Sequence, residues 1–273
     1  MALFGSAFVV GKLVIGNDVP PILFGAIRLL IVFICLIPFW KFEIPSSKNF
    51  IPLIVFSFSM GVCVTMFMNL AINQSSVLSP IIIGAPLAVP FGIILSSIIL
   101  KENISYKKWF FVVSSFIGII IVGFDPEIFN NLLALFLTAL MAFFYGVANV
   151  VSRQLNNIKV VTQNAFMSLT GLIILFVLSN YFEGDIVNRI QNINFNTWLL
   201  ILHSSLIVSL GAHMSLFYLY KFYTIGTVFP FYSLFPIFGL IQTFLVFSEI
   251  PSLLATLGGV IVIGSVYKLQ KIS

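Results

Sequence analysis

Long apolar runs follow one another along this chain with scarcely a charge inside them, and that succession limits its fold more than any single motif does. Ten runs stand out, at about residues 2–16, 21–40, 50–70, 78–100, 108–124, 131–152, 163–182, 197–217, 227–247 and 252–268. A helix crossing a bilayer needs about 20 mainly apolar residues, within a range of roughly 17–25; the first run is short of that and the others fall near it. Composition excludes a soluble alternative. Hydrophobic residues make up 60% of the chain and charged residues 8%, whereas a soluble domain carries about 25% charged residues to cover its surface. With a mean hydropathy of +1.16, such a chain must use lipid as its solvent.

The few charges give the orientation. With the N-terminus in the cytoplasm and ten alternating spans, the cytoplasmic loops and helix ends collect Lys41, Lys48, Lys101, Lys107, Lys108, Arg153, Lys159, Lys221, Lys268 and Lys271. The opposite side collects Asp18, Asp125, Glu127, Glu183, Asp185 and Glu249. Cytoplasmic loops of membrane proteins are enriched in Lys and Arg, and a miscounted span would scramble this separation partway along. The expectation is therefore a multi-pass protein of the cytoplasmic membrane with both termini inside. The net charge of +5 is spread thinly, with no basic run longer than Lys107-Lys108, so nucleic acid is not an expected partner. Cys35 and Cys63 lie within apolar runs and read as small buried hydrophobes. The chain begins almost inside its first run, so the native start is expected to lie upstream or to be misassigned. No basic stretch precedes that run and no A-x-A site follows it, so it reads as a retained helix.

Two segments repeat. "PFGIILSSIILKENIS" (90–105) and "PIFGLIQTFLVFSEIPS" (236–252) each run from a proline through an apolar helix to a glutamate, Glu102 or Glu249. A helix with spaced glycines follows each: Gly118 and Gly123 in one, Gly258, Gly259 and Gly264 in the other. "AFVVGKLV" (7–14) pairs more weakly with "NVVSRQL" (149–155), setting Lys12 against Arg153. The unit is about 140–147 residues long and holds five runs. Five is odd, so the second copy enters the membrane inverted. The expected fold is all-α and integral to the membrane, with ten transmembrane helices in two inverted five-helix repeats, residues 1–127 and 128–273. Inverted repeats meeting at a central site characterise secondary transporters.

Three blocks carry a resemblance to a known family: "FVVGKLVIGNDVPPILFGAIRLL" in the first two runs, "LAINQSSVLSPIIIGAPLAVPFGIILSSIILKE" in the third and fourth, and "FPFYSLFPIFGLIQTFLVFSEIPSLLATLGGVIVIG" in the last two. The chain resembles the EamA branch of the drug/metabolite transporter superfamily over essentially its whole length. It departs from the usual pattern where Phe4-Gly5 replaces a Trp-Gly opening and where Phe111 stands near an expected glycine. The resemblance implies a substrate cavity between two halves and the export or exchange of small metabolites. Amino acids and their derivatives are favoured, with nucleotide-like compounds as the alternative.

Arg28 is the residue hardest to explain as packing. It lies about seven residues, or roughly 10 Å, inside the second run, where an arginine costs about 2.5–3.5 kcal/mol near the bilayer centre. It should face the bundle interior, as a counter-charge for an anionic substrate group or as a clamp on neighbouring polar groups. Lys12 sits near the outer end of the first run, within reach of the interface, and its place in the family-like motif adds a binding or gating role. Tyr145 and Asn149, four apart, share a helix face. His203 and His213 do not share one face, so a metal pair is not expected; His213 alone is the better cavity candidate, with Tyr232. Pro86, Pro90, Pro230 and Pro236 interrupt the fourth and ninth runs at matching places, as helix breaks near a transporter's site do. Asn69, Asn73, Gln74 and Gln242 read as interhelical hydrogen-bonders, and Glu102 and Glu249 as caps or pairs at helix ends.

Other functional classes fit less well. An integral-membrane enzyme would need a catalytic pattern such as H-E-x-x-H or G-x-S-x-G, which the sequence lacks, and a scaffold or sensor would need a soluble module longer than the 183–196 loop. No cofactor and no metal are expected. The expected partners are a small-molecule substrate and the lipid bilayer, for a monomer or homodimer.

Overall fold

The structure is a computed structural model and describes residues 1–40, 47–99, 101, 103–129, 132–155, 157–212, 215 and 234–272. His213, Pro230 and Tyr232 lie outside the described residues, as does Glu102. Among the described residues there are helices and short connections but no strands.

Among the described residues, ten apolar helices of ten residues or more follow in chain order: α1 (Ala2–Gly16), α2 (Pro21–Phe39), α3 (Ser47–Gln74), α4 (Ser79–Ile99), α5 (Tyr106–Gly123), α6 (Leu132–Leu155), α7 (Val160–Phe182), α8 (Phe195–Ala212), α9 (Phe235–Phe247) and α10 (Leu253–Lys271). Eight of them are long and apolar enough to cross a membrane, while α1 and the described part of α9 are apolar but shorter. Local chemistry starts these helices. Pro20 and Pro21 open α2 where no backbone donor is needed. Asn194 accepts from the Thr197 amide at 2.8 Å to start α8, and Ser252 accepts from Ala255 at 3.0 Å to start α10. Left-handed backbone at Gly184 (φ 62°) and Ser248 (φ 56°) turns the chain away just after α7 and α9.

The described prolines sit at different places in their helices. Pro86 lies in a 3₁₀ turn, Ala85–Leu87, that does interrupt α4, and Pro90 is taken into the helical stretch that follows. Pro236 sits in the first turn of the described part of α9, where proline has no helical hydrogen bond to lose. Two interruptions that composition did not announce are π-helical: Phe58–Val64 within α3 and His203–Ala212 within α8. Such turns widen a helix and leave its carbonyls less regularly paired, and they occur often at functional sites.

Helix pairs set the architecture. α2 packs along α7 and α5 along α10, while α1 lies against α9 and α4 against α6. The closest approaches need glycine. A Cβ on Gly5 of α1 would lie 2.6 Å from the Gly239 nitrogen of α9, and one on Gly146 of α6 would lie 2.9 Å from the Gly92 nitrogen of α4. At the α5–α10 contact, a Cβ on Gly258 would come 2.5 Å from the Gly118 oxygen. Because lipid is as apolar as the helix surfaces, tight van der Waals packing and interhelical hydrogen bonds drive such association, and small residues permit it. Elsewhere bulk fills the interior. Phe24, Leu23, Ile72, Ile81 and Ile82 are each fully buried among α1, α2, α3, α4 and their neighbours.

Candidate functional site

From Ile22 to Leu29, every residue of α2 is buried except Arg28, which is half-buried. A half-buried arginine within a wholly packed stretch needs polar partners inside the bundle. Its Nη2 donates to the Thr65 hydroxyl of α3 at 3.1 Å, and its Cζ stands 6.0 Å from the centre of the Phe24 ring, at the edge of cation–π range. Its Nε is buried and finds no acceptor, and no carboxylate contacts the group, among the described residues. Thr65 immediately follows the π-helical stretch of α3, and its hydroxyl donates back to the Met60 carbonyl at 3.4 Å. Gly25 allows α3 this close, since a Cβ there would lie 2.8 Å from the Thr65 methyl. A fork of N–H donors with one neutral partner can take a carboxylate or a phosphate in bidentate fashion.

A second set of polar contacts gathers at the helix ends. The Lys12 ammonium of α1 donates to the Ile72 carbonyl at 3.3 Å and to the Ser75 carbonyl, the last exposed acceptors of α3. Lys12 thus reaches a helix end rather than the interface, and Glu249 is near enough to act on it electrostatically. The Glu249 carboxylate accepts from the Leu78 and Ser79 amides, each at 2.8 Å, and from the Ser79 hydroxyl, at the start of α4. Glu183, just beyond α7, accepts from the Ile22 and Leu23 amides at 2.7 and 2.9 Å, at the start of α2. Ser179 steadies that carboxylate from 2.7 Å. Ser252 at the head of α10 donates to Asp125 beyond α5. These are the N–H groups that a helix cannot satisfy by itself, and carboxylates complement the positive end of its dipole.

The remaining candidates divide. Tyr145 is half-buried against the packing of α4 and α6, while Asn149, one turn on, is exposed. Pro86, Pro90 and Pro236 are buried. Asn69 is fully buried and donates to the Pro21 carbonyl at 2.9 Å, bracing the start of α2. Cys63 is buried and Cys35 half-buried, both with free thiols. No cluster of three His, Cys, Asp or Glu residues suited to a metal occurs among the described residues. Sequence reasoning passed over Thr65, Glu183 and Ser79. Thr65 had no signal apart from its polarity in an apolar run, and the partners of Glu183 stand about 160 positions away in the chain.

Comparison with known proteins places this architecture. The model of the EamA-like transporter family matches twice, over residues 1–124 and 132–269. The chain belongs to the EamA-like transporter family. With eight described helices long and apolar enough to cross a membrane, this EamA-like chain is a multi-pass membrane protein of that family. It is 29% identical over 160 residues to an uncharacterized transporter encoded in the sor 3′ region of Acidianus ambivalens, a match over 57% of this chain. That match spans 59%, about three fifths, of the relative's length. A solved crystal structure, described only as that of a protein, shares the fold at TM-score 0.61 and 15% identity, over 97% of this chain and 94% of the other.

Proposed function

We propose that this chain is a secondary transporter that moves small polar metabolites across the cytoplasmic membrane by alternating access, as an exporter or exchanger. Amino acids or their derivatives are the favoured cargo. The observation behind the substrate assignment is Arg28, a half-buried arginine in an otherwise packed stretch whose one hydrogen-bond partner among the described residues is a neutral hydroxyl. It would take the substrate's carboxylate, and Thr65 would orient it. A charge left half-satisfied in a low-dielectric interior is costly, and an anionic group arriving with the substrate removes that cost.

The architecture we infer is ten spans in two inverted five-helix repeats, residues 1–127 and 128–273, with both termini cytoplasmic. Three glycine contacts favour it. Gly5 and Gly146 stand 141 positions apart, Gly92 and Gly239 147, and Gly118 and Gly258 140. A repeat related by such offsets exchanges the α1–α9 contact with the α6–α4 contact and leaves the α5–α10 contact facing itself. The two π-helical stretches begin 145 positions apart, at Phe58 and His203. Tyr145 and Asn149 would line the space between the halves, with His213 and Tyr232 contributed from outside the described residues.

The test is flux of a panel of amino acids, their derivatives and nucleotides in proteoliposomes holding the full chain. Saturable flux of carboxylate-bearing substrates is expected, with Arg28→Gln raising KM far more than Arg28→Lys. Saturable flux of nucleotides alone would move the cargo to the alternative class. Equal transport by the wild type, Arg28→Gln and Arg28→Lys would sink the substrate role of Arg28.

A further inference from the structure

We propose that Glu249 and Glu183, with Lys12, form the latch that closes the transporter on the face where α2, α4 and α10 begin. Release of the two carboxylates from the helix starts opens that face. The inference rests on the alternating-access reading and adds to it the residues that set which side is open.

Each carboxylate crosses between the two matched segments. Glu183 and Glu249 belong to the second, residues 132–269, and the helix starts they hold, at Ile22–Leu23 and Leu78–Ser79, belong to the first, residues 1–124. If the halves rock apart on this side, these bonds must break; while they hold, the halves cannot separate there. Asp125 and Ser252 make a further crossing in the same region, since Asp125, Glu249, Ser79 and Ser252 line one small pocket between the helix ends.

The 75–79 turn is gripped from both sides. Lys12 holds the carbonyl end of α3, and Glu249 holds the amide end of α4. The gripping residues sit on α1 and beyond α9, which are themselves packed backbone to backbone at Gly5 and Gly239. The packed pair α1 with α9 therefore fastens the turn that joins α3 to α4. Every bond in the set joins a charged side chain to main-chain groups at a helix terminus, or to a hydroxyl beside one. Water can replace such a partner once the face opens, because a helix start needs an acceptor but not a particular one. That exchangeability gives a gate two states of similar free energy, as population shift by a ligand requires. An ion pair buried at mid-membrane would lack it.

The sequence repeats the device. Glutamates stand 140 positions before Glu183 and 147 before Glu249, at positions 43 and 102, with the same offsets as the glycine contacts. Four of the eight acidic residues thus form two pairs related by the repeat.

The test measures accessibility and does not depend on knowing the substrate. Cys35 and Cys63 are replaced by alanine, and Ile82→Cys is introduced as reporter; Ile82 is fully buried one turn below Ser79, against Gly239. A membrane-impermeant thiol reagent is applied separately to each face of reconstituted full-length protein. Glu249→Gln and Glu183→Gln should raise labelling from the latched face roughly tenfold, equivalent to about 1.4 kcal/mol, and lower it from the other. Ser79→Ala, which removes only the hydroxyl bond, should shift labelling the same way by less. It also keeps the test decisive if a glutamate variant fails to fold. Unchanged labelling in folded variants overturns the latch, and so does a rise of equal size from both faces, which marks general loosening. Transport with unchanged labelling defeats the latch alone. The expected labelling shift without flux of any tested metabolite supports the latch and overturns the cargo assignment alone.

Discussion

Two polar regions of this molecule are built on opposite terms. At the helix ends, Glu183 and Glu249 meet backbone amides in pairs, and Lys12 meets two carbonyls, so each charge has partners. Deeper in the bundle, Arg28 has one hydroxyl, one aromatic ring and a buried Nε with no acceptor among the described residues. A satisfied charge stabilises the fold it belongs to; a half-satisfied one in a packed interior lowers stability and is kept for what binds it. The contrast separates charges whose partners are complete from one whose partners are not.

The contrast would fail most visibly at Arg28. Arg28→Gln should lower kcat/KM on the order of a hundredfold, since losing one partner of a buried charged contact costs about 2–5 kcal/mol, while leaving thermal stability in detergent equal or higher. A variant that unfolds instead would return Arg28 to the structural group. Next in size, Glu183→Ala strands the Ile22 and Leu23 amides and should destabilise the protein by about 2–3 kcal/mol, read as a lowered denaturation temperature. Thermal stability like that of the wild type would mean that water serves these amides even in the closed state. Smaller again, Thr65→Val removes the hydroxyl on which Arg28 rests. A KM increase of roughly fivefold with kcat little changed is expected, matching a neutral hydrogen bond of about 1 kcal/mol. Phe24→Leu keeps the bulk and removes the ring face, for a change of about 0.5–1 kcal/mol in substrate affinity by isothermal titration.

Much of the frame was legible from the residues in order. The apolar runs marked the helices because burial of backbone polar groups in lipid leaves few other choices, whereas the spaced glycines of α5 and α10, read only as a sign of repetition, turned out to lie where those helices meet closely. The depth of Arg28 followed from counting along a 1.5 Å rise. Other features were hidden. Nothing local distinguishes Phe58–Val64 or His203–Ala212 from ordinary helix, because a π turn depends on what packs beside it. Pro236 lies in the first turn of the described part of α9, a placement that depends on where a helix begins and not on the proline alone.

What the sequence determined by itself was the solvent of this protein, its helical class and the rarity of its interior charges, because hydropathy and helix rise act residue by residue. The tertiary structure alone decided which charge met which partner. Glu183 and the start of α2 are some 160 residues apart in the chain yet in contact in space, and only the packing of α7 against α2 brings them together. The same packing left Arg28 facing a neutral hydroxyl, with its Nε unpartnered among the described residues.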